Sequence, residues 1–481
     1  MEGSGHGSAG AGGGTLSRLL DEAPTSRFHR RAAVISGMGF FTDAYDLFVI
    51  STVVVVVGDQ WHLSLDQRNL VASAAIFGAF LGAFVFGRMA DLVGRKRIYT
   101  LVAAVMIVGA LLSAFAQDWV WLAASRLVLG LGIGGDYPVS AVLMSEYANR
   151  RDRGRLVGLV FSMQALGLVV GPLVGLALLG SGVSHDLMWR LLLGLGAVPA
   201  ASVVALRARM PESPRFEAQV RGRAGQAAAQ LARFSEGAVQ AHDVDGAPLT
   251  RLPARQLLTG RTLRIVVATA SSWFLLDYAL YGNTLSLPAI LHEVAPTATL
   301  AATLGLSLVL FAVFAVPGYV AAFITMDRIG HRRLQWIGFS VMAGAFAVLG
   351  LVPGATTTVA PFLGLFGISY FFIEFGPNTT TFVLPSELFP VRQRTTGHGI
   401  AAGVGKLGAF VGVFVVPALQ GGIGLRGMLL VAAASAALGA LITRTLPEPA
   451  GRSLEEITGH PAPAGVAAGD DGTGVHLPLP V

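Results

Sequence analysis

Cysteine is absent from all 481 residues, which excludes disulfide bonds, thiol chemistry and any metal site with cysteine ligands. Charged residues are scarce as well, at 13% of the chain, whereas a soluble domain carries about 25%. Hydrophobic residues make up 53% of the chain, and the mean hydropathy is +0.64. This balance predicts a polytopic membrane protein, so the net charge of +6 is not taken as a signal for nucleic-acid binding.

Lysine is nearly absent, and arginine supplies almost every positive charge. Lys96 lies among arginines, whereas Lys406 lies in an apolar segment. An ionisable group at membrane depth costs about 2.5–3.5 kcal/mol on insertion scales, so it usually faces the interior of a helix bundle and marks a pathway. The segment 371–406, which also carries Glu374 and Asn378, is therefore the first candidate for a functional site.

Apolar segments long enough to cross a bilayer recur along the chain and predict about twelve transmembrane helices. We number them spans 1 to 12, at residues 32–57, 67–91, 98–116, 119–147, 155–180, 187–206, 262–291, 298–326, 334–352, 359–386, 396–420 and 426–446. Span 1 contains two aspartates and no small-residue cleavage site, so we interpret it as a retained helix and not as a signal peptide. Pro138, Pro377 and Pro385 mark predicted helix breaks.

Basic residues fall on alternate connections between the spans. Clusters lie at 95–97, 150–155, 328–333 and 392–394, and the segment 207–261 adds more arginines. The opposite connections, near 58–66, 117–118, 181–186, 292–297, 353–358 and 421–425, contain neither lysine nor arginine. The positive-inside rule then predicts that the basic connections and both termini are cytoplasmic.

The two halves of the chain repeat each other. Asp91 to Arg97 recurs as Asp327 to Arg333, and Pro211-Glu212 recurs as Pro447-Glu448. Ser145-Glu146 followed by Arg153 recurs as Ser386-Glu387 followed by Arg394. Such duplication is typical of transporters that bind substrate between two halves near the bilayer midplane. We predict a disordered tail at 1–30, six-helix bundles at 31–206 and 262–446, a cytoplasmic loop at 207–261 and a C-terminal tail at 447–481.

Two glycine-containing motifs have different interpretations. Gly87 to Arg97 combines a glycine that permits close helix contact with Asp91 at a helix end, next to cations. The alternative is a charged loop that only fixes topology. Gly130 to Gly135 satisfies G-x-G-x-x-G, but it lies inside an apolar helix, so we interpret it as a packing surface and reject a nucleotide site.

Several polar residues lie at predicted membrane depth. Asp43 and Asp46 share one helix face, and Asp136 precedes Tyr137, with Arg126 about three turns upstream. These groups fit either a static buried network or proton coupling. In span 7, Trp273, Asp277 and Tyr281 form one stripe at i, i+4 and i+8. The alternative interpretation of this stripe is an aromatic belt or a core stripe without function. Gln164 is a lone polar residue in span 5.

The segments 39–48, 130–146, 211–215, 273–282 and 375–406 resemble the phosphate:proton symporters of the major facilitator superfamily. The resemblance covers nearly all spans, and GGDYP and FGPN-TTF are its most specific blocks. It implies an all-α membrane protein with the major facilitator superfamily fold, about twelve transmembrane helices in two six-helix halves. It also implies a phosphate site formed by Tyr137, Gln164, Trp273, Asp277, Tyr281, Asn378 and Lys406.

The same resemblance implies a proton route and a gate. The proton route would use Asp43, Asp46 and Asp136 together with Asp277. The cytoplasmic gate would use Gly87, Asp91, Arg95, Arg97, Asp327, Arg333, Glu146, Glu387, Arg153 and Arg394. Arg126 and Glu374 have no assigned role, and Glu374 departs from the pattern because fungal and plant members often have asparagine there.

A coupling hypothesis follows from the position of Asp277. As a carboxylate, Asp277 would repel phosphate and could pair with Lys406; when protonated, it becomes a donor and frees the lysine. The leading interpretation is a proton-coupled importer of inorganic phosphate, without cofactor or metal, that works as a monomer in the bilayer and binds no nucleic acid. Arginine-rich, alanine- and glycine-rich usage suggests a bacterial inner membrane. The alternatives are a symporter of the same fold for an organic anion, aromatic acid or sugar, and a phosphate sensor; an enzyme is disfavoured because no catalytic motif occurs.

Overall fold

The computed structural model of the chain describes residues 16–235 and 257–458. Every regular element in these two ranges is a helix, and eleven helices are long and apolar enough to cross a membrane. They are Arg27–Gln60, Leu65–Val93, Arg95–Ala114, Trp119–Tyr147, Arg153–Gly180, His185–Arg209, Gly260–Leu285, Leu300–Ile329, His331–Leu351, Val359–Leu388 and Arg394–Thr443.

The last of these helices contains two spans. Gly424 adopts φ 71°, a left-handed conformation that interrupts the helical path within Arg394–Thr443. We therefore keep the numbers spans 1 to 10 for the first ten helices, span 11 for the part before Gly424 and span 12 for the part after it. The prediction of an all-α membrane protein with about twelve spans is confirmed.

Four spans are interrupted close to the middle of the molecule. Span 5 divides into Arg153–Ser162 and Gln164–Gly180, and span 6 into His185–Leu195 and Ala197–Arg209. Span 8 contains a π-helical turn at Phe311–Ala315, and span 10 contains one at Glu374–Asn378. A π-helical turn inserts one residue into a helix and is frequent at functional sites.

The predicted proline breaks are only partly correct. Pro377 lies in the π-helical turn of span 10, where the extra residue accommodates a ring that cannot continue the α-helical hydrogen bonds. Pro138 and Pro385 lie inside Trp119–Tyr147 and Thr379–Leu388, which both continue through the proline.

The predicted tails and central loop contain structure that hydropathy does not show. Short helices occur at Leu16–Glu22, Pro214–Gln219, Ala224–Phe234, Leu287–Val294 and Leu454–Thr458, with a 3₁₀ turn at Pro353–Thr356. The predicted disordered tail of residues 1–30 is therefore too long: span 1 begins at Arg27, and Leu16 and Leu20 pack against Leu231. Residues 1–15, 236–256 and 459–481 lie outside the described residues.

Glycines allow close helix packing in the first half, as predicted. A Cβ atom added to Gly130 or Gly134 of span 4 would collide with the backbone of Ala75 or Ala79 of span 2. Small residues at such contacts let transmembrane helices approach closely, where van der Waals packing stabilises them. The segment Gly130 to Gly135 therefore has a packing role at these two positions.

The two halves meet along a central seam. Spans 1, 2, 4 and 5 of the first half contact spans 7, 8, 10 and 11 of the second half. Large apolar side chains such as Val85, Val267 and Leu441 are exposed on the outer faces, where a bilayer would cover them. Most of the polar residues selected from the sequence are buried, and Lys406, Asp277, Tyr137 and Gln164 lie along the seam.

Candidate transport site

Lys406 of span 11 lies on the seam and is 2% exposed. Its Nζ donates hydrogen bonds to the Tyr137 hydroxyl at 3.2 Å and to Asp277 Oδ2 at 3.2 Å, and it also contacts the Tyr281 hydroxyl. Tyr137 belongs to the first half, and the other three residues belong to the second. The single lysine inside an apolar span therefore connects both halves, and Asp277 is the partner that the sequence predicted.

Two aromatic rings complete the surroundings of this ammonium group. Lys406 Nζ lies 4.4 Å from the ring centroid of Tyr137 and 4.2 Å from that of Tyr281. Such cation–π contacts favour the charged amine in a site with little water. The charge is thus held by one carboxylate and two phenols, and Asp277 Oδ1 is buried without a hydrogen-bond partner.

Asp43 and Gln164 extend the cluster within the first half. Asp43 Oδ2 accepts hydrogen bonds from the Tyr137 hydroxyl at 2.5 Å and from Gln164 Nε2 at 3.0 Å. Gln164 Nε2 also donates to the Tyr137 hydroxyl at 3.0 Å. Gln164 is the first residue of its helix segment, so the break in span 5 places the amide on the seam.

Asn378 and Glu374 extend the cluster within the second half, through a residue that the sequence analysis missed. The Tyr319 hydroxyl donates to Gln164 Oε1 at 2.8 Å and accepts from Asn378 Nδ2 at 2.9 Å. Asn378 Nδ2 also donates to Glu374 Oε2 at 2.5 Å. Tyr319 in an otherwise apolar span 8, two residues after Pro317, was the available signal.

Trp273 forms part of the wall of the cluster. Its indole lies 5.9 Å from the Tyr137 ring and 5.5 Å from the His398 ring, measured between centroids. A Cβ atom on Gly405 would lie 2.5 Å from the indole, so the glycine makes room for it. The structure therefore brings all seven residues of the predicted phosphate site into one region.

Two small cavities lie on either side of Tyr281. One, of about 20 Å³, is lined by Gln164, Tyr281, Thr284, Tyr319, Tyr370, Glu374 and Asn378 together with four apolar residues. The other, also of about 20 Å³, is lined by Asp43, Asp46, Arg126, Tyr281, Lys406 and apolar residues. The polar cluster therefore has free space beside it that hydroxyl, amide and carboxyl groups line.

Asp46 and Asp136, predicted for the proton route, are held in buried ion pairs. Asp46 accepts two hydrogen bonds from the Arg126 guanidinium. Asp136 accepts from Arg207 Nη1 at 2.7 Å and Nη2 at 3.1 Å, and the Arg207 guanidinium stacks on Tyr99. Arg207 is not among the residues predicted from the sequence, and Arg126 has no predicted role. Of the three predicted acids of the first half, Asp43 alone contacts residues of the predicted phosphate site directly.

The segment Gly87 to Arg97 forms a contact between the halves on the basic side. Asp91 accepts from the backbone N–H of Thr396 at 2.7 Å and from its hydroxyl at 2.6 Å. Arg95 pairs with Asp91 at 3.0 Å and donates to the Val391 carbonyl at 2.7 Å. A Cβ atom on Gly87 would lie 2.9 Å from the Thr395 carbonyl oxygen, so the glycine permits this close approach.

The repeated Ser-Glu motifs also act across the halves. Arg394 of the second half lies 3.3 Å from Glu146 of the first, and Ser145 Oγ donates to the Ser386 carbonyl at 3.2 Å. In the second copy, His331 lies 3.2 Å from both Glu387 and Asp327.

The remaining predicted gate residues differ in their surroundings. Arg153 bonds Asp21 Oδ1 at 3.0 Å and the Arg452 carbonyl at 3.1 Å. Arg97 and Arg333 are exposed, and no ion pair involves them within the two described ranges.

The duplicated Pro-Glu motifs have a structural role within each half. Glu212 accepts from the backbone N–H of Arg95 at 3.1 Å, and Glu448 accepts from that of His331 at 2.9 Å. Each glutamate thus binds the N-terminus of a span, where free N–H groups and the helix dipole favour a negative charge. Burial raises the pKa of the Glu212 carboxyl, and the Arg95 guanidinium opposes this rise.

Comparisons with known proteins identify the family of this chain. The model of the "Sugar (and other) transporter" family matches residues 32–460. Low affinity inorganic phosphate transporter 4 of Lotus japonicus is 36% identical, over 92% of this chain and 93% of its own length. Inorganic phosphate transporter 1-6 of Oryza sativa subsp. japonica is 36% identical, over 94% of this chain and 97% of its own length.

Solved structures share the fold. The proton:xylose symporter XylE bound to 6-bromo-6-deoxy-D-glucose has a TM-score of 0.76 at 21% identity, covering 90% of this chain and 99% of that one. The human organic anion transporter MFSD10 has a TM-score of 0.65 at 15% identity, covering 87% of this chain and 100% of that one. These two proteins carry different substrates, so the shared fold does not define what this chain binds.

Proposed function

We propose that the chain imports inorganic phosphate together with protons by alternating access. The premise is that it belongs to the phosphate:proton symporters of the major facilitator superfamily, which the sugar (and other) transporter model covers. The observation that carries the proposal is the position of Lys406, a buried ammonium group shared by Tyr137 of one half and Asp277 and Tyr281 of the other.

The donor set suits a small oxyanion. Phosphate near neutral pH carries one to two negative charges on four oxygens, so its site needs several donors and a positive charge. The hydroxyls of Tyr137 and Tyr281, the amides of Gln164 and Asn378 and the indole of Trp273 supply donors, and Lys406 supplies the charge. A compact ammonium suits reversible binding better than a bidentate guanidinium.

Asp277 links the proton to phosphate in this proposal. In the ion pair with Lys406, the Asp277 carboxylate neutralises the positive charge that phosphate requires. A proton on Asp277 removes the negative charge, frees Lys406 and provides another donor. Phosphate and the proton therefore favour each other's binding, as reciprocal linkage requires.

The contacts on the basic side support an alternating-access cycle. Asp91 with Thr396 and Glu146 with Arg394 connect the two halves there, while the transport site lies deeper along the seam. Release of these contacts would let the halves rock about the site and open it to the basic side. Asp43, Asp46 and Asp136 would carry protons in this cycle, and the predicted gate residues would hold the basic side closed.

The proposal includes an orientation and a location. The basic side faces the cytoplasm, so both termini are cytoplasmic, and the protein works as a monomer in the lipid bilayer of the plasma membrane. The relatives named above are plant proteins, so a bacterial inner membrane is supported by composition alone.

Substrate identity can be tested with purified protein in liposomes. Uptake of labelled phosphate should be strongly reduced by excess unlabelled phosphate and much less by excess xylose. Uptake of labelled xylose without uptake of phosphate would refute the proposal in favour of a sugar symporter. Tight phosphate binding with no uptake under any gradient would identify a sensor instead.

A further inference from the structure

Glu374 is a buried carboxyl group that the proposed transport cycle does not use. It begins the π-helical turn of span 10 and is 1% exposed. Most other buried carboxyls of the described spans have a cationic partner, such as Arg126 for Asp46, Arg207 for Asp136 and Lys406 for Asp277. Among the buried acids of these described spans, only Glu374 and Asp43 form no ion pair.

These two acids lie at opposite ends of one hydrogen-bonded chain. The chain runs from Asp43 through Gln164, Tyr319 and Asn378 to Glu374, with donor–acceptor distances of 3.0, 2.8, 2.9 and 2.5 Å. It crosses the seam between Gln164 and Tyr319. Every intermediate member is neutral, and two of them, Gln164 and Asn378, belong to the proposed phosphate site. Glu374 is therefore directly bonded to a residue that would bind phosphate.

Glu374 also lines the cavity that Gln164, Tyr281 and Asn378 of that site line. No lysine, arginine or histidine lines this cavity, so a carboxylate there has no cation in direct contact and would repel an anion that Lys406 attracts. A protonated carboxyl is neutral and can donate a hydrogen bond to a phosphate oxygen. Phosphate bound to Asn378 is thus favoured by the neutral form of Glu374.

The groups that surround Glu374 do not offer another way to neutralise it. Asp277 of span 7 acts on it with a negative charge, and Tyr319 of span 8 and Tyr370 of span 10 are phenols. Span 9 packs against the turn through Gly338, which lies against Pro377. Span 5 contributes the amide of Gln164.

We propose that Glu374 is a second proton-binding group of the transport site, protonated when phosphate binds and deprotonated when phosphate leaves. On the side of the membrane that supplies phosphate, a proton from water forms an O–H bond with the Glu374 carboxylate. On the opposite side this bond breaks, and the proton is released to water together with phosphate. This inference rests on the proposed function and deepens it, because each phosphate is accompanied by one proton more than Asp277 alone would carry.

Glu374→Gln provides the test because glutamine keeps the shape and the donors of a protonated glutamate but does not titrate. In proteoliposomes, the pH dependence of the KM for phosphate should lose a component of about tenfold per pH unit on the alkaline side. At acidic pH, the two proteins should have the same KM within about twofold, since both are then neutral at residue 374. The proton-to-phosphate ratio, measured from flux reversal under imposed gradients, should fall by one.

Glu293→Gln is the matched control, because Glu293 is exposed and accepts a hydrogen bond from Gln420 at the surface. It should keep the wild-type ratio. If Glu374→Gln does not fold, Glu374→Asn, the residue that fungal and plant members often have, provides the same comparison. A structural role would lower the unfolding midpoint without changing the pH slope, and that result would overturn the inference.

The two levels of the proposal fail differently. A wild-type protein that takes up no phosphate refutes the proposed function and this inference with it. A wild-type protein that takes up phosphate with protons, together with a Glu374→Gln variant of unchanged ratio and unchanged pH slope, refutes this inference alone.

Discussion

Lys406 holds a positive charge at the boundary between the two halves, and its removal should affect binding and stability in different ways. We expect Lys406→Ala to weaken phosphate binding by about 10- to 100-fold, because a hydrogen bond to a charged group contributes about 1.5–3 kcal/mol. Calorimetric titration of the detergent-solubilised protein measures this change. Wild-type affinity in Lys406→Ala would show that the lysine is not the countercharge of phosphate.

A double variant separates the two effects. Lys406→Ala leaves Asp277 buried without its partner, which costs about 3–5 kcal/mol if the carboxylate stays charged. Asp277→Asn added to Lys406→Ala should restore most of the unfolding midpoint but not the affinity. Recovery of both would mean that the affinity loss came from misfolding.

Arg207 and Asp136 form a second buried pair, which separates a structural role from a proton-carrying one. Arg207→Met should destabilise the protein by about 3–5 kcal/mol, because it strands a buried carboxylate. Thermal unfolding of this variant and of Arg207→Met with Asp136→Asn measures the coupling. If Arg207→Met alone costs less than about 1 kcal/mol, Asp136 is neutral in this state, which would favour its predicted role in the proton route.

Residue types at membrane depth were predictable, but their partners were predictable only in part. Lys406 and Asp277 stand out because charge is rare in apolar spans, and their pairing follows from opposite sign. Tyr319 and Arg207 lie on spans distant in sequence from Gln164 and Asp136, so no spacing rule connects them. Such contacts depend on how whole helices are arranged about the seam.

At the scale of elements, Gly87 determines how closely span 2 approaches the start of span 11. Gly87→Val would force a side chain against the Thr395 carbonyl, so it should destabilise closure on the basic side. We expect at least about a tenfold loss of transport, by analogy with other overpacked helix contacts of 1–3 kcal/mol.

The absence of native cysteine makes this prediction measurable. Thr395→Cys would be the only thiol in the chain. Its labelling by a maleimide from the basic side should accelerate when Gly87→Val is added. An unchanged labelling rate together with unchanged transport would show that this contact does not control closure.

Gly424 divides the last long helix, and its backbone conformation should be costly for any other residue. Gly424→Ala should lower stability by about 1–2 kcal/mol, because φ 71° is unfavourable for a residue with a Cβ atom. Gly421→Ala is the control, since it has no neighbour within 4 Å and no positive φ. It should be neutral or slightly stabilising in an unfolding measurement; equal effects of the two changes would contradict this assignment.

Hydropathy predicted the spans well and the short helices poorly. A membrane span must satisfy its backbone hydrogen bonds internally, so a long apolar segment is nearly always a helix. Leu16–Glu22 has 7 residues and cannot be stable alone; it is held by contacts of Leu16 and Leu20 with Leu231. Such docking depends on a surface that exists only in the folded molecule.

At the scale of the whole molecule, the duplicated sequence accounts for duplicated structural motifs, but the two halves contribute differently to the transport site. Both Pro-Glu motifs bind the N-terminus of an earlier span of the same half, and both Ser-Glu motifs lie where the halves meet. The site itself is not duplicated, because Lys406 lies in the second half and the only lysine of the first half, Lys96, lies among the arginines at the start of span 3. The repeat therefore builds the scaffold, and single residues provide the chemistry.

The central claim is that a proton gradient drives phosphate across the membrane, and uphill uptake tests it most directly. Purified protein in liposomes, supplied with labelled phosphate and an inward proton gradient, should accumulate phosphate above the external concentration. A protonophore should abolish this accumulation. Equal phosphate uptake with and without the proton gradient, or none in either case, would contradict the account.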